Sequence, residues 1–421
     1  MHFVSTRGQA PPVDFRTALF SGLAPDGGLF VPLEIPSPSP AFFSALREAP
    51  LVDVATRVGS CFLSDEISVA DLSRLLADAL NFPVPITPVD VRVSAVELFH
   101  GPTFAFKDVG ARVMARLMSH FHAEEEALTI LVATSGDTGS AVAQAFFGVE
   151  ATRVVVLFPE GQVSRVQEAQ FATLGGNVVA VAVNGTFDDC QRLAKEAFND
   201  ASLRLRARLT SANSINIGRL LPQMFYYVYT AVRFPGATLS VPSGNFGNLT
   251  AGLFAWKLGA PIGGFVAATT VNDTVPRYLA TGIYEPKASV GTLANAMDVG
   301  DPSNVERMRW LFRDDVAAMR RIVATSVHTD DDVRKAIGEL WREHHYLAEP
   351  HSAIGYLGTR EARNDGPLVF LATAHAAKFR EVVEPLVGHE IPLPPALASA
   401  LERPRQVVRM GRTLRELREL L

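Results

Sequence analysis

The chain has 421 residues, more than one compact core usually spans, so we expect two or three domains. Hydrophobic residues make up 48% and charged residues 20%, and the net charge of −5 leaves no basic field that would attract nucleic acid. The two cysteines, Cys61 and Cys190, are far apart, which excludes a disulfide scaffold and a cysteine zinc site. We therefore expect no metal and a reducing compartment.

The N-terminal residues contain no apolar signal core, and the chain has no run of about 18 uncharged apolar residues. These features predict a cytoplasmic protein without a membrane span. We expect a monomer or a homodimer, and no sequence signal separates the two.

The first predicted unit, residues 1–92, is mainly helical, with a helix over 66–80. Two short segments within it are rich in proline, which favours loops. Their prolines are Pro36, Pro38 and Pro40 in the first segment and Pro83, Pro85 and Pro88 in the second.

From residue 110 onward, helical patterns alternate with short apolar runs. The patterns predict helices over 111–121, 139–147, 163–173, 187–199, 215–233, 247–258, 330–345 and 352–363. They predict strands over 128–133, 153–158, 177–183, 237–242, 263–269 and 367–373. This alternation is typical of an α/β protein with two open, mostly parallel sheets covered by helices on both faces.

We divide this part into a smaller α/β domain, 93–210, and a larger one, 211–421. The charged segment 405–421 is predicted to be an amphipathic helix without a catalytic role. In open parallel sheets, ligands bind beyond the carboxyl ends of the strands, so the loops that follow strands are the candidate site segments.

Lys107 lies in the segment HGPTFAFKD (100–108), among aromatic, small and apolar residues. A lysine in apolar surroundings loses part of its preference for the charged form, and a neutral amine can form a Schiff base with an aldehyde cofactor. The alternative is a lysine that keeps its charged end in water at the end of a core strand.

The loop TSGDTGS (134–140) joins a predicted strand to a helix. It offers hydroxyl groups, backbone N–H groups and a helix N-terminus, which together suit an anion such as a substrate carboxylate. Plain capping of the helix by serine, threonine or aspartate is the alternative.

The loop SGNFGN (243–248) follows a second predicted strand. Its two glycines allow the backbone to curl around a ligand and to point its amides inward, as in a phosphate site without a P-loop lysine. The spacing GxGxxG is absent, which argues against a dinucleotide. A tight strand–helix turn would produce the same pattern.

Two further segments carry polar groups at strand ends or helix starts. Thr373 could present a neutral hydroxyl to a cofactor ring nitrogen, or be a half-buried strand threonine. His375 and Lys378 behind it could bind an anion, or be solvated. In NSINIGR (213–219), Arg219 could bind a phosphate with both arms of its guanidinium, or lie on the surface.

Together these segments resemble the threonine synthase family, pyridoxal-phosphate enzymes of the tryptophan-synthase-β type (fold type II), in its shorter bacterial and fungal branch. The resemblance spans nearly the whole chain, in the order of the family. Besides the segments above, it rests on STRG (5–8), DGGLFVP (26–32), AMDVGDPSN (296–304), EPHSA (349–353) and LATAH (371–375).

The resemblance implies that Lys107 forms the Schiff base with pyridoxal phosphate and that Thr373 faces the pyridine nitrogen. It places Gly244, Asn245, Phe246, Gly247 and Asn248 at the cofactor phosphate. The candidates for the substrate are Thr134, Ser135 and Thr138 at its carboxylate and Asn213, Ser214 and Arg219 at its phosphate. Asp137 is a further candidate, at the position where the family otherwise places an asparagine near the phenolic oxygen of the cofactor. An ionised Asp137 would be repelled by a phenolate oxygen of the ring, so turning toward loop amides is an alternative for this side chain.

The implied reaction is the last step of threonine biosynthesis, in which O-phospho-L-homoserine and water give L-threonine and phosphate. In this reaction Lys107 is the base. One alternative is a phospho-lyase of the same fold that releases 2-oxobutyrate. Another is a non-catalytic relative that keeps the scaffold, although this would require a lost lysine or a broken phosphate loop. A serine or threonine dehydratase is disfavoured because the chain carries arginine and asparagine where a second phosphate would bind.

Overall fold

A computed structural model of the chain describes residues 1–122, 127–363 and 365–421. The N-terminal part forms a two-stranded antiparallel sheet and four helices. The strands are β1 (Phe3–Ser5) and β2 (Phe30–Pro32), and the helices are α1 (Phe15–Ser21), α2 (Pro40–Ser44), α3 (Leu51–Leu63) and α4 (Val69–Ala79). The mainly helical character predicted for this region is therefore confirmed.

The next part of the chain, up to residue 211, begins with two paired strands and continues as alternating helices and strands. These are β3 (Ile86–Pro88), β4 (Val93–Glu97), α5 (Lys107–Phe121), β5 (Leu128–Ala133), α6 (Asp137–Phe146), β6 (Thr152–Pro159), α7 (Arg165–Ala172), β7 (Val178–Val183), α8 (Phe187–Asn199), α9 (Ala201–Ala207) and β8 (Leu209–Ser211). The helix α5 begins at Lys107 itself, four residues before the predicted start.

The rest of the chain again contains both helices and strands. It comprises α10 (Ile217–Leu220), α11 (Met224–Arg233), β9 (Thr238–Pro242), α12 (Gly247–Leu258), β10 (Gly264–Thr269), α13 (Thr274–Thr281), α14 (Val305–Phe312), α15 (Val316–Ile322), β11 (Val323–Val327), α16 (Asp330–His344), α17 (Pro350–Gly358), β12 (Leu368–Ala372), α18 (Arg380–Val387), α19 (Pro395–Glu402), β13 (Val407–Met410) and α20 (Leu414–Leu420). Short 3-10 turns lie at Leu221–Gln223, Asn295–Met297, Thr359–Glu361 and Ala376–Phe379.

Two open sheets organise these elements. The larger has the order β11-β10-β9-β12-β4-β3 and the smaller β13-β7-β6-β5-β8. Every neighbouring pair is parallel except β3 and β4. The predicted arrangement of mostly parallel sheets is therefore confirmed.

Both faces of the sheets are buried. In β5, Ile130 and Val132 point into the large core that also takes in the N-terminal helices, whereas Leu131 and Ala133 point into a separate cluster beneath α8 and α20. In β12, Val369 belongs to the same large core. Its neighbour Phe370 packs on the other face, in a second cluster with α16 and α17. Side chains alternate between the faces of a strand, so apolar residues at every position require helices on both sides.

Two predicted helices differ from the observed ones. The segment 215–233 is divided into α10 and α11 by a 3-10 turn, because Pro222 lacks the N–H that an unbroken helix would need. The segment 405–421 contains strand β13 before helix α20. This strand pairs in parallel with β7, so a partner distant in sequence decides its conformation.

The sheets also cross the predicted domain borders. Strand β4 lies in the larger sheet although it falls in the range 93–210, and β13 lies in the smaller sheet although it falls in 211–421. The division into three units at residues 92 and 210 stays a prediction. Across the described ranges, every helix is too short or too polar to pass through a membrane.

Candidate active site

The carboxyl ends of β5, β8, β9 and β12 open onto one cavity of about 2200 Å³. This volume exceeds the roughly 300–1,000 Å³ of most small-molecule sites. The candidates for the cofactor and the substrate all line it: Lys107, Thr134, Ser135, Asp137, Thr138, Asn213, Ser214, Arg219, Gly244, Asn245, Phe246, Gly247, Asn248 and Thr373. His375 and Lys378, which were considered as anion-binding residues, are not among the lining residues. The cavity therefore lies at the edge of the sheets where parallel strands commonly bind ligands.

Lys107 is held against the end of β12. The backbone N–H of Phe106 donates to the carbonyl of Thr373 at 2.8 Å, and that of His375 donates to the carbonyl of Phe104 at 3.1 Å. This antiparallel contact brings Lys107 and Thr373 to the same wall of the cavity. The two residues were predicted from separate segments of the sequence, and the fold brings them close together in space.

The Lys107 amine is half-buried and, within the described ranges, makes neither a hydrogen bond nor an ion pair. Burial is the main cause that lowers its pKa below the ordinary lysine value. The charges of Lys378 and Arg219 lower this pKa further, while those of Asp137 and Glu349 oppose the shift. The position at the start of α5 also disfavours a cation, because helix N-termini carry partial positive charge.

The loop after β9 presents free amides to the cavity. The backbone N–H groups of Gly244, Asn245 and Phe246 donate no hydrogen bond to any part of the chain that the structure describes. Phe246 has a left-handed backbone with φ of 59°, and α12 begins immediately after it. Successive free amides beside a helix N-terminus form a concave site for an anion such as a phosphate.

Asn248 lies in the first turn of α12 and is buried. Its side-chain oxygen accepts hydrogen bonds from the hydroxyls of Tyr226 and Tyr227, both at 2.7 Å. Its Nδ2 is buried without a partner in the described ranges. A buried donor that is left unpaired costs free energy, so a bound acceptor at this position would stabilise the site.

The segment 213–219 joins this loop. Ser214 accepts a hydrogen bond from Asn245 Nδ2 at 2.8 Å, which places the two predicted segments side by side. Asn213 has a buried side-chain oxygen that lacks a partner within the described residues. The cap of α10 is Asn216, not Asn213 or Ser214, since the side-chain oxygen of Asn216 accepts from the N–H of Gly218.

Arg219 is buried, not on the surface. Its Nη1 donates to the carbonyl of Ala212 at 2.5 Å, and its Nε has no partner among the described residues. Burial lowers the pKa of this guanidinium to about 10, so it remains charged near neutral pH. No carboxylate in the described ranges forms an ion pair with Arg219, which leaves it available to an anion in the cavity.

The candidate hydroxyl groups in the segment after β5 are of two kinds: one is hydrogen-bonded within the loop, and two have no partner in the described ranges. The Thr134 hydroxyl accepts from the N–H groups of Gly136 and Gly139, at 2.9 and 2.8 Å, and donates to the carbonyl of Gly136. It is therefore occupied in shaping the loop. Ser135 and Thr138 are half-buried, line the cavity, and have hydroxyls without partners in the described part of the chain.

Asp137 does not turn toward the loop amides. Its carboxylate forms an ion pair with Lys378 at 2.6 Å and accepts a hydrogen bond from Gln167 Nε2 at 2.9 Å. Burial would raise its pKa, but Lys378, Lys107 and these hydrogen bonds together hold the pKa well below its usual range. Lys378 is neither solvated nor free for a ligand, because it is completely buried against Asp137.

The sequence-based assignment missed a carboxylate–histidine pair behind Thr373. Glu349 is fully buried, and its oxygens accept from the backbone N–H and Nδ1 of His351 and from the N–H and hydroxyl of Ser352. The Ser352 hydroxyl in turn accepts from the Thr373 N–H at 3.0 Å, and His351 Nε2 accepts from the N–H of Ala296. These residues lie in the EPHSA segment of the resemblance, which was the available signal.

Arg307 was missed as well. It is fully buried and donates to the carbonyls of Phe30, Ser214 and Ile215 and to the side chain of Asn304. It thereby fixes the segment around Ser214 to the N-terminal sheet. A single arginine in a helical pattern gives no sequence signal for such a role.

This cavity has the groups that a phosphorylated aldehyde cofactor needs. An unpaired, partly desolvated amine faces a loop of free amides, and Asn248 adds a buried donor without a partner. With the two parallel sheets, these features define a pyridoxal-phosphate-dependent enzyme of fold type II, and residues 88–373 match the family described as pyridoxal-phosphate dependent enzymes. The predicted fold class is confirmed.

Matches at the two ends of the chain identify a more specific family. Residues 2–80 match the threonine synthase N terminus and residues 352–421 match the threonine synthase C-terminal region. The chain belongs to the threonine synthase family.

Similar proteins span the whole chain. Threonine synthase from Serratia marcescens is 45% identical over 417 residues, which cover 97% of this chain and 96% of the relative. The crystal structure of threonine synthase from Escherichia coli superposes with a TM-score of 0.94 at 41% identity, covering 100% of this chain and 99% of the other. The crystal structure of pyridoxal-phosphate-bound threonine synthase from Brucella melitensis gives a TM-score of 0.93 at 37% identity, covering 100% and 98%.

Proposed function

We propose that this chain converts O-phospho-L-homoserine and water into L-threonine and phosphate. The observation that carries the proposal is the presence of two anion-binding groups in one cavity. The free amides of the loop 244–246 suit the cofactor phosphate. The buried Arg219, whose Nε has no partner among the described residues, suits a second phosphate on the substrate. A dehydratase acting on an unphosphorylated amino acid would not need the second group.

The residues that would hold the cofactor follow from their unpaired groups. Lys107 would hold it through its amine, the amides of Gly244 to Phe246 and Asn248 Nδ2 would bind its phosphate, and Thr373 would supply a hydroxyl for its ring nitrogen. When bound, pyridoxal phosphate withdraws electrons from the substrate and so stabilises the charge left when a proton departs from carbon. Because Thr373 offers a hydroxyl and not a carboxylate, it would leave that nitrogen neutral.

The chain's own groups move the proton and orient the substrate. Lys107 takes the proton from Cα and later returns it, which requires that its pKa lie below the reference value of about 10.4. Its burial produces a shift in that direction. Arg219, Asn213 and Ser214 bind the substrate phosphate. A proton leaves Cβ, the phosphate leaves from Cγ, and Cγ takes up a proton. Water then adds its hydroxyl at Cβ, and its remaining proton goes to the released phosphate.

We assign the substrate carboxylate to Ser135 and Thr138 and the amides of their loop. Thr134 and Asp137 are placed behind the contact surface, because the Thr134 hydroxyl and Asp137 Oδ1 are occupied within the protein. In this interpretation Thr134 shapes the loop, and Asp137 acts through Lys378.

The decisive experiment supplies O-phospho-L-homoserine to purified protein with pyridoxal phosphate and identifies the products. Threonine and phosphate support the proposal, whereas 2-oxobutyrate, ammonia and phosphate would identify a phospho-lyase. Lys107→Ala should abolish both turnover and the visible absorbance of the bound cofactor. The matched control is Lys257→Ala, which removes an exposed lysine from the rim of the same cavity and should retain both. Full threonine production by Lys107→Ala would refute the role of Lys107.

We further infer that the enzyme acts in the cytoplasm on a small molecule and does not bind nucleic acid. The net charge of −5 supports the last point. A monomer or a homodimer remains our expectation for the assembly, and sedimentation would decide between the two.

A further inference from the structure

Lys378 and Asp137 form a buried ion pair beside the catalytic lysine. Their side chains are 0% and 4% exposed, and Lys378 Nζ lies 2.6 Å from Asp137 Oδ1. Lys378 also donates to the carbonyl of Thr103 at 2.8 Å. Burying two charges is costly, and a buried pair is often no more stabilising than apolar residues of the same size. Its presence next to a reactive amine therefore calls for a functional explanation.

The pair connects the two sheets. Asp137 is the first residue of α6, which follows β5 of the smaller sheet, and Lys378 lies in the 3-10 turn after β12 of the larger sheet. Asp137 lines the cavity whose wall carries Lys107 and Thr373, and the turn with Lys378 follows Thr373 in the chain. The Asp137 carboxylate thus has two lysines within electrostatic reach, Lys378 and Lys107, and it binds only Lys378.

We propose that Lys378 is a positioning residue for Lys107: its ammonium binds the Asp137 carboxylate, so that Asp137 does not pair with Lys107 and the Lys107 amine stays free to react. The proposal rests on the proposed role of Lys107 as the cofactor-binding base. It gives Lys378 a function without contact to the substrate.

The charges that face Lys107 agree with this function. They are the carboxylates of Asp137 and Glu349 and the cations of Lys378 and Arg219. After burial, which is the largest cause, Lys378 lowers the pKa of Lys107, and Asp137 acts in the opposite direction. Lys378 itself also faces Asp108 and His375, and burial raises the pKa of Asp108 to about 6. Loss of the Lys378 charge would leave Lys107 as the remaining ammonium for Asp137.

The test measures the proton affinity of Lys107 in the cofactor-free protein. Amine labelling with formaldehyde and borohydride is followed at several pH values, and the peptide with Lys107 is quantified by mass spectrometry. In Lys378→Met the midpoint of labelling should move to higher pH, and labelling at neutral pH should fall about tenfold, because a nearby opposite charge shifts a pKa by one unit or more. In Asp137→Asn the midpoint should not rise.

The double variant Lys378→Met/Asp137→Asn removes both charges and should restore the wild-type midpoint. Lys378→Arg keeps the positive charge, so its midpoint of labelling should also equal that of the wild type. Lys257→Met removes an exposed cavity lysine and is the matched control, for which no change is expected. Circular dichroism and thermal unfolding verify that each variant is folded.

Three results would overturn the proposal. They are an unchanged midpoint in folded Lys378→Met, a double variant that stays shifted, or a rise in Asp137→Asn alone. If Lys378→Met does not fold, the double variant and Asp137→Asn decide the question. The product assay on the wild-type enzyme is independent of these measurements, so an error in the proposed function would be recognised separately.

Discussion

Gly244→Ala tests how the phosphate loop is positioned. A Cβ atom on Gly244 would lie 2.6 Å from the Cα of Met297 and 2.9 Å from the carbonyl oxygen of Ala296. Both are main-chain atoms, so no side-chain rotation relieves the contact. Either the segment 295–297 or the loop 243–246 has to move.

The expected size follows from the cost of overpacking. Extra methyl groups in close-packed regions cost about 1–3 kcal/mol. If the loop moves to relieve the contact, its amides no longer point at one phosphate and the strain appears as lost affinity. That energy corresponds to about a fivefold to 150-fold weaker binding of pyridoxal phosphate. We expect a loss of about tenfold or more.

The assay titrates cofactor-free protein with pyridoxal phosphate and follows the absorbance of the bound form. A competition experiment with inorganic phosphate reports on the loop itself, and thermal unfolding of the cofactor-free protein reports on stability. Gly291→Ala is the matched control. Gly291 is exposed, and an added Cβ would meet no atom within 4 Å, so its affinity and stability should equal those of the wild type.

Wild-type affinity in Gly244→Ala, with unchanged thermal unfolding, would refute this reasoning. It would mean that the close approach of 296–297 does not determine where the loop amides point. Equal losses in Gly244→Ala and Gly291→Ala would also contradict it, because the effect would then be general to added methyl groups.

Two further predictions concern buried charges. Arg219→Met should raise the KM for the phosphorylated substrate about tenfold or more while lowering kcat less, since a charged hydrogen bond contributes about 1.5–3 kcal/mol. Steady-state kinetics measure both constants. An unchanged KM would show that Arg219 does not bind the substrate phosphate. Glu349→Gln should lower the free energy of unfolding by about 1–3 kcal/mol, because an amide places N–H groups against donors of His351 or Ser352. Urea unfolding measures the loss, and a change below about 0.5 kcal/mol would contradict the importance of this network.

Much of the fold was readable from local patterns. The strand LTILVA (128–133) is apolar at every position except Thr129, and both of its faces are buried as predicted. Elements of two or three turns with flanking glycines were located to within a few residues, because their periodicity repeats several times. Pro222 was a sequence signal that the segment 215–233 does not form one continuous helix.

Short elements were harder to predict. Strands such as Leu209–Ser211 contain three residues, too few for a periodic pattern. Val407–Met410 is an edge strand only because β7 offers it hydrogen bonds. In these segments long-range pairing, and not local preference, decides the conformation.

The candidate site likewise contains residues that the sequence indicated and contacts that it did not. Lys107 stood out because it lies among apolar and aromatic residues, whereas the roles of the loop 243–248 and of Thr373 came from the resemblance to the family. All of them line the same cavity. The partner of Asp137 was not recognisable. Lys378 is one lysine among several, and only the packing of α6 against the turn after β12 makes it a buried counter-ion.

The sequence by itself determined the alternation of strands and helices and indicated the candidate loops and Lys107, because these depend on periodicity and on residue types close together in the chain. The tertiary structure alone decided that Arg219 is buried without a carboxylate, that Thr134 serves its own loop, and that Lys378 takes the Asp137 carboxylate. Charges and hydrogen bonds depend on distance in space, and the folding of two sheets around one cavity sets those distances.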